Sequence, residues 1–346
     1  MKISVYSLIV GLLMICFFTE NTIAQNPPPA MVGLCLPEAG TDKGWNEQAK
    51  VGLEKVAKKY GFKVMLAEAL GYGDIKPTLR DMVKKKCELI IAHASGYQTV
   101  APEIARETGI KVTTVENHKD VTPGLISDID TDPGPGAYLA GILAGRMTRS
   151  NIVGIVVSDE PPTWNRMSAA FAQGLKSVRP DAKLLYSVIG EDAYADAAGA
   201  KRNTEDQIAV GADVIFGQGD GASFGMLQAC SSRKARDGGK VWFIDVIGDK
   251  RSIDRADVLL SSILFDFSVV YDEVIQSIID GSFGKQHWIS VRNGGIHLLD
   301  PNPAVTDKIR QEIEAARRKI VSGEIKVVEV VEADMLHKYL RKLFPK

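Results

Sequence analysis

Apolar residues along this chain fall into two alternating rhythms, short unbroken runs and longer stretches with a single apolar face. "MVGLCL" at 31–36 gives way to "NEQAKVGLEKVAKKY" at 46–60. There Ala49, Leu53, Val56 and Ala57 mark one helical face while Lys50, Glu54 and Lys58 solvate the other. Strands are expected next at 63–69, 89–94, 111–116 and 125–130, with helices at 74–86 and 99–108 and an apolar helix through "AYLAGILAGRM". A second series opens at Asn151, with strands "IVGIVVS", "KLLYSVI", "DVIFGQ" and "KVWFIDV" between helices at 163–178, 197–210 and 222–235. The later chain is less regular. It reads as a strand at 258–264, a helix at 268–280, a hairpin through "HWISVRNGGIHLL", a helix at 303–322 and a last strand in "IKVVEVV".

Strands that alternate with helices in this way predict parallel sheets covered by helices on both faces, which also accounts for the nearly unbroken Val/Ile/Leu runs. The chain is thus expected to be α/β, with two Rossmann-like lobes. The first takes 30–148 plus 267–285 and the second 149–266 plus 286–325, with 326–346 as a C-terminal extension. A cleft between such lobes is lined by loops at the carboxyl ends of the strands.

Composition narrows the class. Lys and Arg total 42 against 43 Asp and Glu, so no basic surplus points to nucleic acid. Lys2, the apolar run Leu8–Phe18 and Thr22-Ile23-Ala24 read as a secretory signal cut after Ala24, and export to the periplasm follows. Lipid attachment at Cys16 is disfavoured, because Ile15 is too large for the residue before a lipidated cysteine. Cys35, Cys87 and Cys230 lack zinc spacing and are odd in number, leaving a Cys35–Cys87 bridge as an open alternative.

No HExxH, GxSxG, GxxxxGK[ST] or CxxC motif occurs, so neither a resident metal nor a cofactor is expected. Gly217-x-Gly219-x-x-Ala222 approaches a dinucleotide fingerprint, with Ala in place of its third Gly; the plainer reading is a tight loop that lets backbone approach a ligand. What the strand-end loops share is aromatic rings beside acids and amides. Asp42, Trp45 and Asn46 form one group, and Ser95, Gly96 and Tyr97 another. Trp164, Tyr194, Asp220, Asp245, Asp249 and Phe265 follow in the second series, and Asp130 ends the 125–130 strand. Flat rings with carboxylates and amides suit a planar, hydrogen-bond-rich heterocycle. A sugar fits the same inventory, and a nucleotide-using enzyme is a third reading.

"GWNEQAKVGLEKVAKKYG", "ELIIAHASGY", the Tyr-x-Ala-Gly-x-x-Ala-Gly run at 138–145 and the Gly-Ala-Asp-Val-Ile-Phe run at 211–216 resemble the basic membrane protein family. These are substrate-binding proteins of ABC importers, similar to purine nucleoside receptors. The resemblance implies a type I periplasmic-binding-protein fold whose lobes are joined by a hinge of three strands and close over a purine. It also implies a membrane ABC permease as partner and no catalysis. It makes Trp45 a stacking ring, Asn46 a base contact, Tyr194 the opposing ring, Gly96-Tyr97 a loop contact and either Asp245 or Asp249 a ribose-binding acid. Phe265 stands where nucleoside-binding members place a ribose-holding Lys, so a free nucleobase such as adenine becomes a contender beside a nucleoside.

Overall fold

The computed structural model of the chain describes residues 25–191 and 193–345. The expected signal segment 1–24, with Cys16, lies outside them. The first part holds β1 (Met31–Cys35), α1 (Trp45–Tyr60), β2 (Lys63–Ala67), α2 (Lys76–Lys84), β3 (Leu89–Ala92), α3 (Val100–Thr108), β4 (Lys111–Val115), β5 (Ile126–Asp132) and α4 (Gly134–Met147). Then come β6 (Ile152–Val157), α5 (Pro162–Val178), β7 (Lys183–Val188), α6 (Ala197–Val210), β8 (Val214–Gln218), α7 (Ser223–Ser232), β9 (Trp242–Ile247) and β10 (Leu259–Phe265). The chain closes with α8 (Phe267–Ile279), β11 (Gln286–Ser290), β12 (Ile296–Leu298), α9 (Asp307–Val321) and α10 (Ala333–Leu343).

Two sheets result. One runs β11-β5-β4-β3-β1-β2, parallel throughout. The other runs β12-β10-β9-β8-β6-β7, parallel except where β12 meets β10 antiparallel. Central strands such as β3 and β8 are buried along their whole length, as burial on both faces requires. Helix α1 shows how a loop and a helix are joined locally. The Asp42 carboxylate accepts the backbone N–H groups of Gly44, Asn46 and Glu47, meeting amides that the first turn leaves unpaired. Gly61 ends the helix in the left-handed region (φ 80°), its N–H bonded to Ala57 O.

Three expectations change. "HWISVRNGGIHLL" is no hairpin: β11 extends the first sheet beside β5, and β12 the second beside β10. Its Asn-Gly-Gly turn therefore carries the chain from one lobe to the other, and the return to the second lobe falls after 290 rather than at 286. Helix α4, assigned to the first lobe, packs on α5, β10 and α9 on the second-lobe side, so the first crossing follows β5. "IKVVEVV" forms no strand. It lies along α5, where the Gln173 amide bonds Lys326 O and Val328 N and the Asn165 amide bonds Val331 O. Side-chain amides there replace ladder partners, and α10 then packs Leu336 and Leu340 against Ala169 and Ala172. Cys35, Cys87 and Cys230 are buried free thiols, so no Cys35–Cys87 bridge forms.

Candidate functional site

A cleft of about 700 Å³ opens between the sheets at the carboxyl ends of their strands. The first lobe contributes Glu38, Trp45, Tyr72, Ser95, Gly96 and Glu116 to its wall; the second contributes Thr163, Trp164, Tyr194, Asp220, Ile247 and Phe265. Of the residues singled out in the sequence, Trp45, Ser95, Gly96, Trp164, Tyr194, Asp220 and Phe265 meet there.

Each ring is held by its neighbours. Trp45 begins α1, donates Nε1–H to the His93 carbonyl at 3.2 Å and stacks on the His93 ring with centroids 4.5 Å apart. Phe267 meets both rings edge-on. Burial pushes the His93 imidazole down to about 3, so it remains neutral beneath the indole while its Nδ1 pairs with the Tyr271 hydroxyl. Trp164 is buried and anchored through Nε1–H to Ser158 Oγ at 3.1 Å. Gly96 lets two loops meet, because a Cβ there would lie 2.9 Å from Tyr72 O.

The remaining candidates stand off the wall, for identifiable reasons. Asp42 is consumed in capping α1 and in accepting the Asn46 side-chain amide at 2.7 Å, which buries Asn46 as well. Tyr97 is in the core, its hydroxyl donated to Gly71 O. Asp130 accepts the Thr131 N–H at the end of β5. Asp245 is fully buried against Lys250, with Oδ2 and Nζ 2.6 Å apart, and Asp249 is paired with Arg251 on the surface side. The near-dinucleotide glycines are packing residues. A Cβ at Gly217 would strike Met226 and Phe243, and the same loop presents the Asp220 carboxylate where a phosphate would need a donor.

Residues missed in the sequence include two acids, Glu38 and Glu116, together with Tyr72 and Thr163. Glu38 shares its loop with Asp42, just before Trp45 and Asn46, and Glu116 directly follows β4, but nothing in their own spacing marked either one. Glu116 sits in the left-handed region (φ 57°), as do Asp220 (φ 43°) and Ile247 (φ 67°), a concentration of backbone strain on the cleft wall. Glu116 Oε1 accepts the hydroxyls of Thr131 at 3.3 Å and of Thr163, across the cleft, at 3.1 Å. Burial, then Asp130, pushes its carboxyl up; burial, then Asp42, does so for Glu38. Burial, then Asp42, raises Asp220 to about 7, and its Oδ1 is shut from solvent without a hydrogen-bond partner among the described residues. Lys250, fully buried, joins the lobes by donating to Lys43 O at 3.1 Å.

Two doubly wound lobes with a cleft at a threefold crossover define the type I periplasmic-binding-protein fold. The chain belongs to the Bmp family, ABC transporter substrate-binding proteins of the PnrA-like kind, matched over residues 30–330. It is 27% identical to the ABC transporter nucleoside-binding protein BmpA of Lactococcus lactis, over 62% of each chain. It is also 27% identical to a putative ABC transporter glucose-binding protein of Haloferax volcanii (83% of this chain, 71% of that one) and 22% identical to a purine-binding protein of Brucella abortus (82% and 79%). Among solved structures, an ABC transporter solute-binding protein from Conexibacter woesei superposes with a TM-score of 0.75 at 20% identity, covering 88% of this chain and all of that one. No helix among the described residues is long and apolar enough to cross a membrane.

Proposed function

We propose that this is an exported solute-binding protein that captures a purine-type ligand, nucleobase or nucleoside, and delivers it to an ABC permease without chemical change. The observation that carries the reading is the cleft, where rings from both lobes (Trp45 on one side, Trp164 and Tyr194 on the other) share one cavity with carboxyl groups. Rings on opposite walls can grip a flat heterocycle as the lobes close, and carboxylates accept its N–H groups. The nucleoside- and purine-binding names of two relatives support the class. Phe265 on the wall, and the absence of basic side chains among the described residues that line it, favour a base over a ribose held through an amine.

Ligand binding stabilises the folded state by mass action, so a thermal-shift panel of nucleobases, nucleosides, pentoses and hexoses is the direct test. A purine is expected to raise the melting temperature and to be recovered unchanged. A shift with sugars alone would sink the reading and point to the glucose-binding relative's class instead. Trp45→Ala is expected to weaken purine binding by about 1–3 kcal/mol, the range for one stacked base, while unfolding remains cooperative. Calorimetric titration checks this, and unchanged affinity removes Trp45 from the site.

A further inference from the structure

The cleft is acidic as well as aromatic, and its charge is unbalanced. Glu38 and Glu116 reach its wall from the first lobe and Asp220 from the second, while none of the described residues that line it is Lys, Arg or His. The nearest buried amine does not restore the balance. Lys250 Nζ is taken up by Asp245 at 2.6 Å and by the Lys43 carbonyl, and its side chain is wholly enclosed. Lys43 itself pairs with Glu47, and Arg166, close enough to act on Glu116, pairs with Glu329. Asp220 Oδ1 has no hydrogen-bond partner among the described residues although it is shut from water.

We infer that the ligand of this cleft carries a positive charge: a cationic aromatic heterocycle, its charged ring between the aromatic side chains and its N–H or N–methyl edge toward Glu38, Glu116 and Asp220. The inference rests on the reading of this cleft as the ligand site, and not on the ligand's being a purine.

Two physical arguments support it. Closing the lobes over a neutral molecule would enclose three carboxyl groups from opposite walls, with the nearest cations, Arg166 and Lys250, already paired with Glu329 and Asp245, which is costly unless the carboxyls take up protons. Burial displaces all three carboxyls upward, the same cost expressed in the cleft walls themselves. A cation reverses it, because one positive centre attracts acids from both lobes and so favours the closed form. The rings favour the same ligand, since the face of Trp or Tyr attracts a cation within about 6 Å of its centroid. A neutral nucleoside uses the rings but leaves the carboxylates unbalanced.

The test compares closely similar molecules that differ in charge. 1-Methyladenine and 1-methyladenosine, cationic in mildly acidic to neutral buffer, are titrated calorimetrically against their neutral N6-methyl isomers. 1-Methylnicotinamide is likewise titrated against nicotinamide. The expected result is that the cation binds at least roughly tenfold tighter than its partner, ~1.4 kcal/mol, in one or more of these pairs. Asp220→Asn, nearly isosteric and checked for cooperative melting, should reduce that preference several-fold. A preference in the purine pairs upholds both this inference and the purine reading; one confined to the pyridine pair upholds the charge and ends the purine reading. If neutral purines bind as tightly as their cationic isomers or tighter, the purine reading stands and the inference falls. It falls too if no cation binds, or if Asp220→Asn leaves the preference intact.

Discussion

Asp220 concentrates what the cleft does at the level of a single side chain. It follows β8 in a left-handed conformation that non-glycine residues adopt sparingly, and it faces Asp42, Glu38, Asp245 and the amine of Lys250. Burial and the neighbouring acids raise its carboxyl from 3.8 to about 7. The sign of the consequence is set by linkage. Between these values the folded protein holds a proton that the unfolded chain releases, so Asp220's contribution is fully present below about pH 4 and is lost as pH rises through 7. Asp220→Asn removes this dependence. The ligand-free variant should therefore gain stability over the natural protein at pH 8 relative to pH 5, read as a shift in urea midpoint at each pH. A midpoint difference that does not change with pH would show that the carboxyl is not displaced. The cost of an ionised Asp220 in the cleft is what a bound cation would relieve.

At the scale of elements, the contact between α4 and α5 explains the most distinctive repeat in the sequence. A Cβ at Gly141 would stand 2.1 Å from Phe171 O, and one at Gly174 would stand 2.0 Å from Tyr138 O. Both backbones touch, so neither glycine can gain a methyl group without separating the helices. Gly174→Ala should cost about 1–3 kcal/mol, the range for overpacking a well-filled core, and a chemical-denaturation midpoint measures it. A loss below a few tenths of a kcal/mol would mean that the helices slide apart freely. The Tyr-x-Ala-Gly-x-x-Ala-Gly run is thus a packing motif, and its distance from the cleft is no contradiction. The two βα series were legible because periodicity reports burial directly: α6 begins and ends where its pattern predicts, at 197–210. Crossings between lobes were not, since Asn293-Gly294-Gly295 carries the same local turn chemistry whether its flanking strands pair with each other or with different sheets. "IKVVEVV" alternates like a strand but finds side-chain amides of α5 instead of a free sheet edge. In the site, aromatic residues at loop starts led to the cleft. Glu38 and Glu116 escaped notice because an isolated acid on a loop looks like any solvated charge until the opposite lobe is placed over it.

For the molecule as a whole, the question is what lets two lobes meet, and one carbonyl is central. Lys43 O, just before α1, accepts Lys250 Nζ from the second lobe, and Gly248 comes so close that an added Cβ would fall 1.8 Å from that oxygen and 2.5 Å from its carbon. Backbone on both sides leaves no flexible group to yield. Nearby, Gly44 approaches the Asp220 carboxylate and Thr163 bonds Glu116, so these contacts ring the cleft in the arrangement with the lobes together. An alanine at 248 is compatible with each lobe folded alone but not with this contact, so it should shift the population toward lobes held apart. A ligand gripped from both sides then binds weaker by the free energy needed to bring them together, because only the closed fraction is competent. Gly248→Ala is therefore expected to weaken ligand binding by roughly tenfold or more while leaving the ligand-free melting temperature nearly unchanged. Small-angle scattering supplies the second readout: the natural protein should contract on adding saturating ligand, and the variant should contract less. A variant that binds and contracts like the natural protein would show that Lys43–Gly248 contact is incidental to closure. A variant that melts early without ligand would show instead that the contact holds the resting structure together, making the interface around Lys250 a permanent joint rather than one that opens for each ligand.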